Sequence, residues 1–170
     1  MRQSGTEFPL GKTQGFTLIE LVVVIILLGI VSAYAASRFL GPSSFAVITT
    51  QSEVLASLRL TQSRAMQRTG YCNRWLLTST AAIQVSPQAM QENCLAAFPS
   101  NTSDPSMVDA AASGVSLSLS GSGGQSFLDF DRLGRATQCV ATGCVVRIRS
   151  ATNNDARQVC VNTEGYIYAC

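Results

Sequence analysis

The chain has 170 residues, 46 % hydrophobic and 13 % charged, with 13 Gly and 5 Pro, which excludes disorder or a collagen-like repeat and allows one modest domain. Twelve Lys+Arg against ten Asp+Glu leave a net charge of +2, too small to attract nucleic acid or acidic substrates by bulk electrostatics. With no His, and Lys12 as the only Lys, His-based acid–base catalysis and His-ligated metal are excluded, as is Schiff-base chemistry past residue 12, so neither an enzyme nor a cofactor is expected.

Residues 1–15 are mostly polar or small and carry Arg2, Glu7 and Lys12. Residues 16–36 then read FTLIELVVVIILLGIVSAYAA, with Glu20 as the sole charge. Such a helix rises ~1.5 Å per residue and reaches roughly the 30 Å of a bilayer's hydrocarbon core. The positive-inside rule puts the N-terminus in the cytoplasm and exports the remainder across the inner membrane. A secretory signal cleaved near Ala35 competes with this reading, since Ala33-Tyr34-Ala35 has the look of its cleavage site. Glu20 separates the two: a carboxylate at a membrane helix centre costs ~2.5–3.5 kcal/mol and has no use in a discarded peptide. It asks for a cation, and no Lys, Arg or His lies between Phe16 and Ser37.

Gly15-Phe16-Thr17-Leu18-Ile19-Glu20, followed by the apolar run, resembles the processing site of type IV prepilins and pseudopilins. The resemblance implies cleavage between Gly15 and Phe16 by a prepilin peptidase and N-methylation of Phe16. It also implies that Glu20 neutralises the Phe16 ammonium of a neighbouring subunit in a helical filament. Other pilins and an inner-membrane assembly platform are the implied partners. The physics agrees, because cleavage creates the missing cation, and burying both charges together costs far less than burying either alone.

Pro42, after Gly41, predicts a kink or break, so residues 16–42 form one helix half and 43–69 a second. In the second half Val47, Ile48, Val54, Leu55, Leu58, Ala65 and Met66 recur at helical spacing, while Glu53, Arg59, Arg64, Gln67 and Arg68 take other faces. Gly70 is the expected C-cap. Beyond it the period becomes twofold, clearest in Val115-Ser116-Leu117-Ser118-Leu119-Ser120. Strands are expected at 71–78, 81–86, 115–120, 127–130, 136–140, 144–149, 157–161 and 166–169, with turns at 131–135, 152–155 and 162–165. A short helix is expected at 87–95 and a loop at 99–113.

The resemblance extends through LASLRLTQSRAMQR (55–68), FDRLGR (130–135) and QVCVNTEGYIY (158–168), which are similar to the minor pseudopilin H and FimT-type group. That group implies a long N-terminal helix packed on antiparallel sheet. The spread of cysteines and the Glu20-anchored start also resemble a minor pilin of the MSHA pilus. The chain departs from the family where many pilins kink at a Pro near mature residue 22; here that position is Ser37.

Six cysteines, all within the last hundred residues, read as three disulfides in an exported domain. Zinc would need closely spaced pairs in each half, and the sequence has one C-x4-C and no C-x-x-C. Cys139 and Cys144 flank a four-residue loop, so as hairpin ends they would face each other within disulfide reach. The other four allow three pairings. Cys72–Cys94 with Cys160–Cys170 stands against crossed pairings, because Cys160 is expected to face Tyr166 or Ile167, leaving Cys170 about 10–13 Å away at strand rise.

Arg132, Arg135, Arg147, Arg149 and Arg157 make nucleic acid a candidate ligand, which Asp129, Asp131, Asp155 and Glu164 in the same stretch disfavour. Asp129 and Asp131 form a D-x-D that a strand-end turn explains as well as a hard cation does. Gly121-Ser122-Gly123-Gly124 lacks the Lys-Ser/Thr of a phosphate loop and reads as a hairpin loop. The chain is therefore expected to be α+β: residues 1–15 a removed leader, 16–69 a long helix in an apolar and an amphipathic half, and 70–170 a periplasmic disulfide-bonded β domain. The expected function is that of a structural minor pilin of a type IV, MSHA-type pilus. A type II secretion tip pseudopilin and a secreted disulfide-rich binding domain are the alternatives.

Overall fold

The computed structural model describes residues 17–39, 43–85, 88–100 and 102–170. The chain divides into two compact units, Met1–Gly41 and Pro42–Cys170. In the first, helix α1 spans Leu18–Phe39. Thr17 caps it, its Oγ1 accepting the Glu20 backbone N–H at 3.3 Å, and Glu20 complements the positive helix end. The large apolar residues of α1 from Leu18 to Val31 are, Val22 apart, 46–80 % exposed. Among the described residues no helix is long and apolar enough to cross a membrane. The described side chains of α1 end at Ser32, and the 15 residues from Leu18 to Ser32 reach only ~22 Å. The break expected at Pro42 lies outside the described residues.

In the second unit helix α2 spans Ser43–Gln67, followed among the described residues by eight strands. β1 (Arg74–Leu77), β2 (Ala81–Val85), β3 (Val108–Asp109) and β5 (Phe127–Asp129) form one antiparallel sheet, ordered β3-β2-β1-β5. β4 (Val115–Ser120), β6 (Cys144–Ser150), β7 (Ala156–Val161) and β8 (Ile167–Ala169) form a second, ordered β4-β6-β7-β8. The fold is α+β, a helix packed on antiparallel sheets with three bridged cysteine pairs. One core joins them: Val47, Val54, Leu58 and Ala65 of α2 meet Trp75 and Leu128 of the first sheet and Val146, Ile148 and Val159 of the second. A smaller cluster, Leu76, Ile83 and Val85 with Phe98, Met107 and Phe127, covers the other face of the first sheet.

The face α2 buries differs from the apolar stripe in the sequence. Ile48 and Met66 are 46 % and 52 % exposed, whereas Thr50, Ser57 and Thr61 are buried. Polar side chains fit because Ser57 and Thr61 have partners: Trp75 Nε1 donates to Ser57 Oγ at 2.8 Å, Ser57 donates to the Ser106 carbonyl, and Thr61 donates to the Ser57 carbonyl. Arg64 also turns inward, reaching Gln84 Oε1 at 2.7 Å and Asp104 at 2.9 Å.

Three strand-region expectations are corrected. Residues 136–140 form no strand: they fold back on β5, with Thr137 N–H on the Asp129 carbonyl and Gln138 Oε1 accepting the Asp129 N–H, leaving one bridge, Phe130 to Ala136. The helix expected at 87–95 reduces to a 3-10 turn, Gln91–Asn93, with Pro87 outside the described residues. The loop expected at 99–113 contains β3, which pairs with β2 through Val108 and Asp109.

Candidate functional site

Gly15 and Phe16, the expected processing pair, lie outside the described residues. Glu20 is exposed in the first turn of α1, on a helix whose described side chains include no cation.

The three cysteine bridges sit at different places in the second unit. Cys72–Cys94, with Cα atoms 5.3 Å apart, ties the lead-in to β1 to the 3-10 turn. Cys139–Cys144, at 5.1 Å, closes a turn whose Gly143 N–H meets the Val140 carbonyl. No hairpin ladder holds that pair, because β6 is paired on both sides by β4 and β7. Cys160–Cys170, at 5.9 Å, is diagonal across β7 and β8. The β7–β8 turn closes on Asn162 and Tyr166, which puts Cys160 opposite Tyr168 and brings Cys170 nearer than the sequence register suggests.

The five arginines do not share a face. Arg147 lies opposite Ser118 and Gln158, and Arg149 opposite Ser116 and Ala156, on the outer face of the second sheet. Arg157 lies opposite buried Ile148, hence on the inner side, where it lines a hollow with Val47 and Ile48. Arg132 and Arg135 belong to the turn after β5, beside the end of α2. Ladder register, not proximity in sequence, decides these faces.

Asp129 and Asp131 are each committed to a guanidinium. Asp129 is bidentate to Arg74, both contacts 2.8 Å, and this bond holds the Arg74 guanidinium above its ordinary pKa despite burial. Burial alone would raise the Asp131 carboxyl. The Arg135 backbone N–H and guanidinium and the Leu133 N–H win, and hold it below the usual carboxylate range. Asp104 behaves alike, with burial opposed by the Ser106 hydroxyl and backbone N–H and by Arg64. The glycine-rich segment after β4 crosses from the second sheet to β5 of the first and so makes no hairpin. Gly121, at φ +82°, packs against the Gly143 carbonyl, leaving no room for a Cβ.

One junction escaped sequence reasoning. Gln62 Nε2 donates to the Gly134 and Gly165 carbonyls, both at 2.6 Å, pinning the 131–135 and 162–165 turns to α2. The 131–135 and 162–165 turns therefore meet on the C-terminal half of α2. A glutamine on a helix surface carries no signal of this role; the two positive-φ glycines, +78° and +88°, are its only trace.

Residues 10–36 match a family model described as the prokaryotic N-terminal methylation motif. This chain carries a prepilin methylation motif. The match spans 27 of the 170 residues and includes Gly15, Phe16 and Glu20; it supports a type IV pilin-like or pseudopilin protein. No curated protein and no solved structure matches the chain. The motif points to a structural protein rather than an enzyme, and implies processing by a prepilin peptidase and assembly with other pilins.

Proposed function

We propose that this chain is a minor pilin of a type IV, MSHA-type pilus. It enters the inner membrane with its N-terminus cytoplasmic and its α2–β unit periplasmic, and is cut between Gly15 and Phe16 and methylated on Phe16. It then joins an extracellular filament through residues 16–36. The observation that carries this reading is the methylation motif at residues 10–36, continuous with the exposed apolar surface of α1. Apolar packing of α1 against other subunits supplies the binding energy, and Glu20 with the Phe16 ammonium of a neighbour fixes the register. The MSHA assignment draws on the cysteine spread and the Glu20-anchored start.

A tagged copy expressed beside the filament system tests the assignment. The account expects the protein in the sheared filament fraction, and a Gly15→Val variant left in the membrane as the longer precursor. Mature-sized Gly15→Val protein would overturn it.

A second reading concerns the outer face of the second sheet. Arg147 and Arg149 alternate there with inward-facing Val146, Ile148 and Ser150, in rows holding Ser116, Ser118, Gln158 and Ala156 with no acid among them. Such a face suits phosphate contacts. Salt-dependent retention of the full chain on DNA, abolished in an Arg147→Ala/Arg149→Ala double variant, would support it; no retention at low salt would dismiss it.

A further inference from the structure

α2 buries one side against both sheets, yet its first two turns leave Phe45 73 % and Ile48 46 % exposed. One helical turn apart, the two share a face. Beside Ile48 lie Asp155, Ala156 and Arg157, which with Val47 line a hollow of about 160 Å³. Arg157, on β7, is exposed, and so is the whole β6–β7 loop from Ala151 to Asp155, which is polar past Ala151. That loop is shaped from within. The Thr152 and Asn153 N–H groups donate to Ser150 Oγ, the Asp155 N–H donates to Asn153 Oδ1 at 3.0 Å, and Asn153 Nδ2 donates to Asp155 Oδ2 at 3.2 Å. Gln51 Nε2 donates to the Gln158 carbonyl at 2.6 Å and fastens this end of α2 to β7.

Chain length says what is within reach of this face. α1 ends at Phe39 and α2 begins at Ser43. A membrane span over residues 16–36 leaves three helical residues, about 4.5 Å, before Phe39, which keeps that residue inside a headgroup layer roughly 5–7 Å deep. From Phe39 to Phe45 the chain extends at most about 22 Å, whatever its path. Two exposed apolar side chains fall far short of the roughly 20–30 residues a side of a stable protein interface, whereas aromatic side chains anchor singly at a membrane surface. The forked donors of Arg157 match a phosphate, and the polar loop suits hydrated headgroups.

We propose that this face rests on the periplasmic leaflet beside α1, with Phe45 and Ile48 entering the headgroup–acyl boundary and Arg157 taking a lipid phosphate. The inference depends on the reading of residues 16–36 as a membrane span. It adds a second membrane contact, which holds the α2–β unit of the unassembled subunit at the bilayer.

The test places the full chain, one per nanodisc, in phosphatidylethanolamine–phosphatidylglycerol bilayers with a lipid nitroxide just below the headgroup, and reads tryptophan quenching beyond that of buried Trp75. Phe45→Trp is expected to be quenched at least threefold more than Gln67→Trp, which stands ~33 Å away at the other end of α2. Arg157→Glu added to Phe45→Trp should cut that quenching at least twofold, and full quenching would overturn the phosphate contact. Ile48→Trp is a second reporter with the same expectation. Val24→Trp, read with a nitroxide at the acyl-chain end, reports the membrane span separately. If Val24→Trp is quenched and neither Phe45→Trp nor Ile48→Trp exceeds Gln67→Trp, this inference is overturned and the membrane span stands. An unquenched Val24→Trp removes both. A blue shift of Phe45→Trp without quenching, seen only with two or more chains per disc, would assign the face to a second copy of the chain and overturn the lipid contact.

Discussion

Val47, Val54 and Leu58 of α2 are 0–1 % exposed against strands of their own unit, while Leu18, Ile19 and Val31 of α1 remain 62–80 % exposed. Both helices are long, and their compositions explain the contrast. α2 alternates apolar and polar residues and closes a core with the strands of its unit; α1 from Leu18 to Ser32 carries one charge, Glu20, in an otherwise apolar run, and among the described residues of its unit nothing buries that run. A helix that is apolar all round is ordinarily a buried or membrane helix. The α2–β unit thus has a core of its own, and the exposed apolar surface of α1 is what the proposed assembly would cover.

The largest effect should come from α1 without touching that fold. Glu20→Val is expected to be processed normally, since removing a membrane acid eases insertion, yet to reach filaments at least tenfold less than wild type. The melting temperature of the α2–β unit should not change. Wild-type incorporation, measured by immunoblot of sheared filaments, would remove Glu20 from the account.

In the other unit the order reverses, with stability lost and processing kept. Trp75→Ala empties the centre of the core and removes the donor to Ser57 Oγ, which keeps its bond to the Ser106 carbonyl, at a cost of about 3–5 kcal/mol in denaturant unfolding. Gly165→Ala should cost about 2 kcal/mol, because its φ of +88° strains an L residue and a Cβ there meets the Gly134 carbonyl. Loss of less than half that value would show the Gln62 junction to be loose.

Asp104 gives the smallest effect, and one with a sign. Its native carboxyl titrates below the usual carboxylate range, so the unfolded chain takes up the proton first as pH falls. The stability this supplies is full above the unfolded value of about 3.9 and is lost as pH drops through the lower native value. Asp104→Asn should therefore lower stability by about 1 kcal/mol at pH 7 and converge with wild type once the pH has fallen through the native value, as read by urea unfolding across pH.

What the sequence disclosed depended on whether a single residue type carried the signal. Val115 to Ser120 is legible because alternation with one buried face produces both strand and register. The methylation motif is legible because Gly15 and Glu20 are chemically unusual beside so apolar a run. Ser57 was hidden because its burial follows from partners on other elements, Trp75 and Ser106, and Thr61 because its hydroxyl turns back on the Ser57 carbonyl of its own helix. Residues 136–140 look like a strand, but the Gln138 side chain takes a position on β5 that a backbone would otherwise hold. The arginine cluster dispersed for a related reason: whether Arg149 and Arg157 share a face depends on the β6–β7 register, which pairs Arg157 with inward-facing Ile148.

The central claim is that α1 is an assembly helix released at its own N-terminus. Intact-mass and N-terminal peptide mass spectrometry of the protein recovered from membranes tests it most directly. The account predicts a mature chain beginning with N-methylated Phe16 and retaining Glu20. A mature chain beginning at Ala36 or Ser37 would show that α1 had been discarded as a secretory signal, and would contradict it.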